Sequence, residues 1–287
     1  MRLPGLLVDP AWLSGHLKHP GVAILDVRWS PTGGPTATRR AFEDGHIPGA
    51  GYVDVDRDLA RAPFTGGPGR HPLPDPEDFA ARMAAQGLDD EIYAVVYDDV
   101  RGSVAARLWW MLWITGHQVA MLDGGLEAWT REGGTLEWGP QKPREKTLFT
   151  PIPWPTDRIV TAGAVDSTIR VGFAPVLDAR VSERYLGQAE PIDRVAGHVP
   201  GARSAPWTDN LDADGRFLDP DVLRARFEAL GVTNDAAICY CGSGVTSCHD
   251  LLALRLAGFG DARLYEGSWS DWIQVGDRPV AAGPEPA

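Results

Sequence analysis

The sequence predicts an α/β protein built from two tandem copies of one domain, each a mainly parallel sheet flanked by helices. Three observations predict it. The chain has 287 residues, enough for two domains with cores of their own. It repeats itself: Ile24-Leu25-Asp26-Val27-Arg28 returns as Val176-Leu177-Asp178-Ala179-Arg180, and Gly45-His46-Ile47-Pro48-Gly49-Ala50 as Gly197-His198-Val199-Pro200-Gly201-Ala202. Asp and His are twenty residues apart in both copies, and one such long-period repeat means a duplicated domain rather than a solenoid. Within each copy, short apolar runs alternate with helical patterns, as in parallel sheets covered by helices.

The elements follow in order. The start, Met1-Arg2-Leu3-Pro4-Gly5-Leu6-Leu7, has no sustained apolar core and reaches Asp9 quickly, so it does not read as a signal peptide. Val22-Ala23-Ile24-Leu25 reads as a strand, 76–86 as a helix, Ala94-Val95-Val96-Tyr97 as a strand and 104–115 as a helix. The Trp-rich part of that last helix, 108–113, is expected to be core. A third repeated pair, Leu122-Asp123-Gly124-Gly125-Leu126 and Tyr265-Glu266-Gly267-Ser268-Trp269, closes each copy. Residues 138–156 carry many Pro and Lys and no periodicity, which reads as a surface linker. The predicted division is 8–137 for the first domain, 138–157 for the linker and 158–278 for the second domain. Both copies keep the Gly-His-apolar-Pro-Gly turn, so His46 and His198 are expected to be structural. Asp26 and Asp178, at strand ends, are expected to fix the same turn.

Composition excludes several classes of partner. A net charge of −12 argues against nucleic acid and anionic membranes, both of which need basic patches. The most apolar stretch, 108–116, is far too short to span a bilayer. Three cysteines, all between 239 and 248, make no disulfide framework. A cytoplasmic protein with reduced thiols is expected.

The chemistry points to Cys241-Gly242-Ser243-Gly244-Val245-Thr246. The apolar run Ala236-Ala237-Ile238-Cys239-Tyr240 before it has the length of a strand, and 247–258 after it reads as a helix that Gly258 stops. A thiol at a strand end, on a loop that two glycines can curl, faces backbone N–H groups and a helix N-terminus. Such an environment favours the thiolate. Ligands of parallel sheets bind at these strand ends. The matching loop of the first copy starts with Asp98 where the second has Cys241, so the first copy is catalytically silent and the active site is expected where the two domains meet. A metal cluster of Cys239, Cys241, Cys248 and His249 fails on spacing, since only one residue separates Cys239 from Cys241. Cys239 reads as a small core residue.

The loop resembles the active-site loop of the rhodanese-type sulfurtransferases, and its Gly-Ser-Gly-Val-Thr tail resembles the 3-mercaptopyruvate sulfurtransferase branch of that family. The likeness runs from about residue 8 to about residue 276. It implies two tandem rhodanese-like domains. It also implies a sulfur transfer through a persulfide on Cys241, from 3-mercaptopyruvate to a thiol or cyanide, with release of pyruvate. Gly242, Gly244, Val245 and Thr246 would line the donor loop. Arg184 and Arg194 match arginines that hold the donor's carboxylate and ketone, a task suited to bidentate guanidinium. Ser243, His71 and Asp56 match a proton relay in which a neutral His shuttles the proton and Asp fixes its tautomer. No cofactor and no metal is implied. The partners would be a small-molecule sulfur donor and an acceptor: a thioredoxin-like or low-molecular-weight thiol, or cyanide.

Three other readings stand beside it. A thiosulfate sulfurtransferase would suit cationic loop residues, which thiosulfate-type members carry where Gly242 and Ser243 stand. A Cys-dependent phosphatase needs an Arg at the position of Ser247. A non-catalytic sulfur-carrier or binding module needs neither the arginines nor a distant His.

Overall fold

The computed structural model describes residues 3–61, 67–142, 144–233, 236–274 and 276–284. They divide into two compact units. The first takes residues 3–61, 73–154 and 213–216, and the second takes 67–72, 155–212 and 217–284.

The first unit runs β1 (Leu7–Val8), α1 (Pro10–His16), β2 (Val22–Arg28), α2 (Gly34–Glu43), β3 (Gly51–Asp54), α3 (Val55–Asp58), α4 (Pro76–Ala85), β4 (Tyr93–Tyr97), α5 (Ala105–Ile114), β5 (Val119–Leu122) and α6 (Gly125–Arg131). The second runs β6 (Ile159–Val160), α7 (Ala162–Val171), β7 (Val176–Asp178), α8 (Ser182–Tyr185), β8 (Arg203–Ser204), a 3-10 turn (Trp207–Asn210), α9 (Pro220–Ala229), β9 (Ile238–Tyr240), α10 (Ser247–Leu256), β10 (Arg263–Tyr265) and α11 (Ser268–Trp272). The sheets have the same order, β1-β5-β4-β2-β3 and β6-β10-β9-β7-β8, and every named pair is parallel. The α/β fold predicted from the repeat is therefore present twice.

Local chemistry explains the elements. Asp9 caps α1 by accepting from the Trp12 N–H at 2.6 Å, and Pro10 fills the first helical position, where a missing N–H does no harm. Helix α10 ends where Gly258 turns left-handed at φ 87°, with Phe259 N–H returning to the Leu254 carbonyl. Strand β2 is buried from Ala23 to Arg28, as expected of a strand covered on both faces. Helix α5 is buried along most of its length and carries Trp109 and Trp110 into the core, as its composition predicts. The cores are Leu13, Ile24, Phe42, Val95, Tyr97 and Trp129 in the first unit, and Val165, Val176, Ile238, Tyr240, Tyr265 and Trp269 in the second.

The repeated turns are structural in both units. Asp26 binds Arg28 Nε at 2.8 Å, and Arg28 donates to the Gly45 carbonyl at 2.9 Å. Asp178 binds Arg180 at 2.6 Å, and Arg180 donates to the Gly197 carbonyl at 2.7 Å. His46 stacks on Phe42 and bonds its carbonyl, and His198 does the same with Tyr185. The strand-end aspartates thus reach the Gly-His turn through an arginine two residues on. Residues 144–154 pack on the first unit: Thr150 binds Asp90, Trp154 Nε1 donates to the Pro74 carbonyl at 2.7 Å, and Phe149 stacks on His117.

Candidate active site

Cys241 follows β9, at the carboxyl edge of the second sheet, and is 2% exposed. Its backbone is pinned on both sides. Its N–H donates to Ser268 Oγ at 3.1 Å, and its carbonyl accepts from Trp269 N–H at 2.9 Å. The Gly242 carbonyl accepts from Ser270 N–H at 2.9 Å, so the turn between β10 and α11 grips the start of the loop. Gly244 makes the bend at φ 80°, and a side-chain carbon there would meet the Glu266 carbonyl oxygen at 2.5 Å. Only glycine fits that close approach. Val245 and Thr246 lead into α10, their carbonyls accepting from the N–H groups of Cys248 and His249.

Ser268 holds a left-handed conformation at φ 52° without being glycine. That conformation costs a non-glycine residue about 1–2 kcal/mol. Two bonds offset it, since its hydroxyl accepts from Cys241 N–H and donates to the Tyr265 carbonyl at 2.9 Å.

The second unit includes a piece of the first repeat, residues 67–72. Gly69, at φ 80°, lies so close to the β10–α11 turn that a side chain would strike the Gly267 carbonyl oxygen. Arg70 N–H donates to Ser270 Oγ at 3.0 Å. The next residue, His71, is buried, with Nδ1 2.7 Å from Ser243 Oγ. This places the predicted His71 and Ser243 in direct contact one residue from Gly242.

Arg184, on α8, donates from Nε and Nη2 to Glu190 and from Nη2 to Asp193 at 3.0 Å. Arg70 binds the same Asp193 carboxylate. Both guanidinium groups reach Gly242: a side-chain carbon on that glycine would lie 3.0 Å from Arg70 Nη2 and 3.5 Å from Arg184 Nη2. Burial works against an ionised Glu190, but Arg184 and the N–H groups of Asp193 and Ile192 outweigh it and hold its carboxyl below the ordinary range. Arg194 is exposed and donates to the Ile273 carbonyl. Asp56 belongs to the first unit. It is exposed on α3, and its Oδ1 accepts from Trp29 Nε1 at 3.0 Å. The local fold there uses its neighbours instead: Asp54 accepts from Arg57 N–H and Asp58 from Asp54 N–H.

Sequence reasoning missed Arg70, Asp193 and Ser268. Adjacency to His71 was the one local sign for Arg70. For Ser268 the sign was the repeat, whose first copy has Gly125 at the matching place with φ 57°.

The loop of the first unit shows what such a turn holds when it carries its own anion. Asp98 is fully buried, and its carboxylate accepts from the N–H groups of Val100, Gly102, Val104 and Ala105 at 2.7–2.9 Å. Arg101 takes the left-handed bend at φ 59° where the second copy has Gly244. The loop after β4 is thus a nest of amides filled by a side chain.

Comparison with known proteins gives consistent likenesses. The family model described as a rhodanese-like domain matches residues 9–132 and 161–274. The chain is 44% identical over 281 residues to a Pseudomonas aeruginosa protein named "Probable 3-mercaptopyruvate sulfurtransferase", covering 96% of this chain and 98% of that one. It is 37% identical over 286 residues to a Mycobacterium tuberculosis protein named "Putative thiosulfate sulfurtransferase SseB", covering 97% of each. The crystal structure of Escherichia coli SseA, described as a 3-mercaptopyruvate sulfotransferase with a rhodanese fold, superposes with a TM-score of 0.80 at 33% identity. That match covers 92% of this chain and 99% of that one.

Proposed function

The chain belongs to the rhodanese family, and from that premise we propose that it transfers sulfur from 3-mercaptopyruvate to a thiol or cyanide through a persulfide on Cys241. The Cys241 thiolate attacks the donor's sulfur, the carbon–sulfur bond breaks, and pyruvate leaves as its enolate. The enolate takes a proton, which Ser243 delivers and His71 replenishes, with Asp56 as the third member of the relay. The product is pyruvate and a Cys241 persulfide, and the acceptor then removes the outer sulfur. Arg184 and Arg70 would hold the donor's carboxylate. Arg194 would hold its carbonyl by leaving the Ile273 carbonyl. By register with the Asp98 nest, the N–H groups of Ser243, Val245 and Ser247 would face the persulfide's charge.

The observation that carries this reading is the buried contact of 2.7 Å between His71 Nδ1 and Ser243 Oγ. A released enolate needs a proton at carbon or oxygen to become pyruvate. Departure of sulfite from thiosulfate needs none, and would leave a Ser–His pair beside the thiol without a task. The names of the relatives from Pseudomonas aeruginosa and Escherichia coli favour the same donor.

One observation favours thiosulfate as the donor. Two guanidinium groups stand beside Gly242, where a doubly charged anion would be welcome. A single preparation given each donor separates the two readings. Pyruvate release from 3-mercaptopyruvate should exceed sulfite release from thiosulfate by at least about tenfold in kcat/KM, the scale of one lost charge-assisted contact. A ratio below one would transfer the assignment to thiosulfate.

A further inference from the structure

The pair of arginines beside Gly242 is not a bare positive site. Asp193 is 4% exposed at its side chain and binds both of them, Arg184 through Nη2 at 3.0 Å and Arg70 through Nη1. Glu190, equally buried, takes the Nε edge of Arg184. Arg180 also reaches Glu190, at 3.4 Å, but Asp178 already cancels its charge. The guanidinium groups of Arg70 and Arg184 and the carboxylates of Glu190 and Asp193 therefore meet in a cluster with no net charge. The four charges come from α8, from the segment that follows it, and from residues 67–72.

The two carboxylates are not equivalent. Glu190 accepts from the N–H groups of Ile192 and Asp193, so it belongs to the turn as much as to the arginine. Asp193 binds Arg70 as well as Arg184. It fixes the spacing between the guanidinium groups and cancels one of their charges.

Resting on the reading that an anionic sulfur donor binds beside Gly242, we propose that Asp193 is a positioning residue that sets the donor's charge, favouring a monoanion over a dianion. At neutral pH 3-mercaptopyruvate carries one negative charge and thiosulfate two. A carboxylate fixed behind both guanidinium groups repels a dianion about twice as strongly as a monoanion, because the Coulomb energy scales with the ligand's charge. It also leaves Arg70 Nη2 and Arg184 Nη1, which both face Gly242, to bind one carboxylate. Discrimination here rests on a repulsive element as well as an attractive one.

The test is the ratio of kcat/KM for thiosulfate to that for 3-mercaptopyruvate, since any loss of arginine positioning acts on both donors. Asp193→Asn keeps the shape and removes the charge, and the ratio should rise about tenfold, an effect that weakens as salt is added. Asp193→Glu keeps the charge and should leave the ratio within about twofold, rescuing the selectivity even where both rates fall. Arg70→Gln removes a cation and should lower the ratio, which decides the matter if Asp193→Asn does not fold. An unchanged ratio in Asp193→Asn, or the same rise in Asp193→Glu, overturns the proposal. Titration calorimetry on Cys241→Ser, in mildly alkaline buffer, removes the chemistry. Adding Asp193→Asn should tighten sulfite, a dianion, about tenfold more than pyruvate, a monoanion. If neither donor is turned over by the parent enzyme, the sulfur-transfer reading fails while the calorimetry still decides the role of Asp193.

Discussion

The three thiols differ in their surroundings. Cys239 lies inside β9, and burial pushes its thiol well above the ordinary value, with the nearby Asp250 adding to the effect. Cys248 points its Sγ at the Gly244 carbonyl at 3.4 Å. Cys241 alone stands at a strand end on the glycine loop. Cys241→Ser should abolish turnover, whereas Cys239→Ala and Cys248→Ala should keep most of it, as steady-state rates will show. His71→Ala should lower kcat roughly 100-fold, the usual worth of a positioned proton donor, while KM changes little. Its pH–rate profile should lose one ionisation. If His71 were only a loop anchor, the variant would melt earlier with kcat nearly intact. The residues that sequence could not supply share one physical cause. Arg70 meets Asp193 across 123 positions and Ser270 across 200, and no local pattern encodes such contacts. The same contacts alter the view of Gly242. From sequence, an arginine there would recruit thiosulfate, but the space it needs already holds the guanidinium groups of Arg70 and Arg184.

At the scale of elements, the two units differ most in the loop after the fourth strand of each in chain order, β4 and β9. In the first unit Asp98 fills the nest. Asp98→Ala would leave four N–H groups, three of them buried, without their acceptor, and denaturant unfolding should show a loss of roughly 2–4 kcal/mol. In the second unit the first turn of α10 carries Asp250, fully buried and bound to Asn210 Nδ2 at 2.7 Å. Burial pushes its carboxyl up to about 7, with Arg226 and Asn210 pulling the other way. The native state then holds a proton that the unfolded chain has released, from the ordinary carboxylate range up to about 7. Stability therefore falls as pH rises through that window. Asp250→Asn should raise the melting temperature near pH 8, and the gain should vanish below about pH 3, where both states are protonated. An equal gain at both pH values would contradict the protonation argument. Most elements were legible, because β2, β4, α5 and α10 carry period or apolar length enough to name them. The turn at Ser268 was not, since its left-handed backbone is set by the bond to Cys241 N–H rather than by its own residue type.

At the scale of the molecule, the repeat explains the matching sheets, and the differences between copies explain the division of labour. Asp178, Arg180 and His198 copy Asp26, Arg28 and His46 and build the same scaffold. The thiol and the arginines do not repeat, so the proposed chemistry falls to one unit. That unit borrows residues 67–72. A fragment starting near residue 158 lacks Arg70 and His71. It also leaves the β10–α11 turn without Gly69 and Arg70 against it. It should therefore be inactive with 3-mercaptopyruvate even where its sheet folds, and addition of a peptide spanning 67–72 should not restore full activity. The central claim, a persulfide on Cys241 formed as pyruvate leaves, is tested most directly by one single-turnover experiment. The enzyme is mixed with 3-mercaptopyruvate in the absence of acceptor, pyruvate is counted per chain, and the protein is digested for mass spectrometry. The account predicts one pyruvate per chain and one added sulfur atom on the peptide bearing Cys241. Pyruvate released without added sulfur, or sulfur found on Cys239 or Cys248, would contradict it.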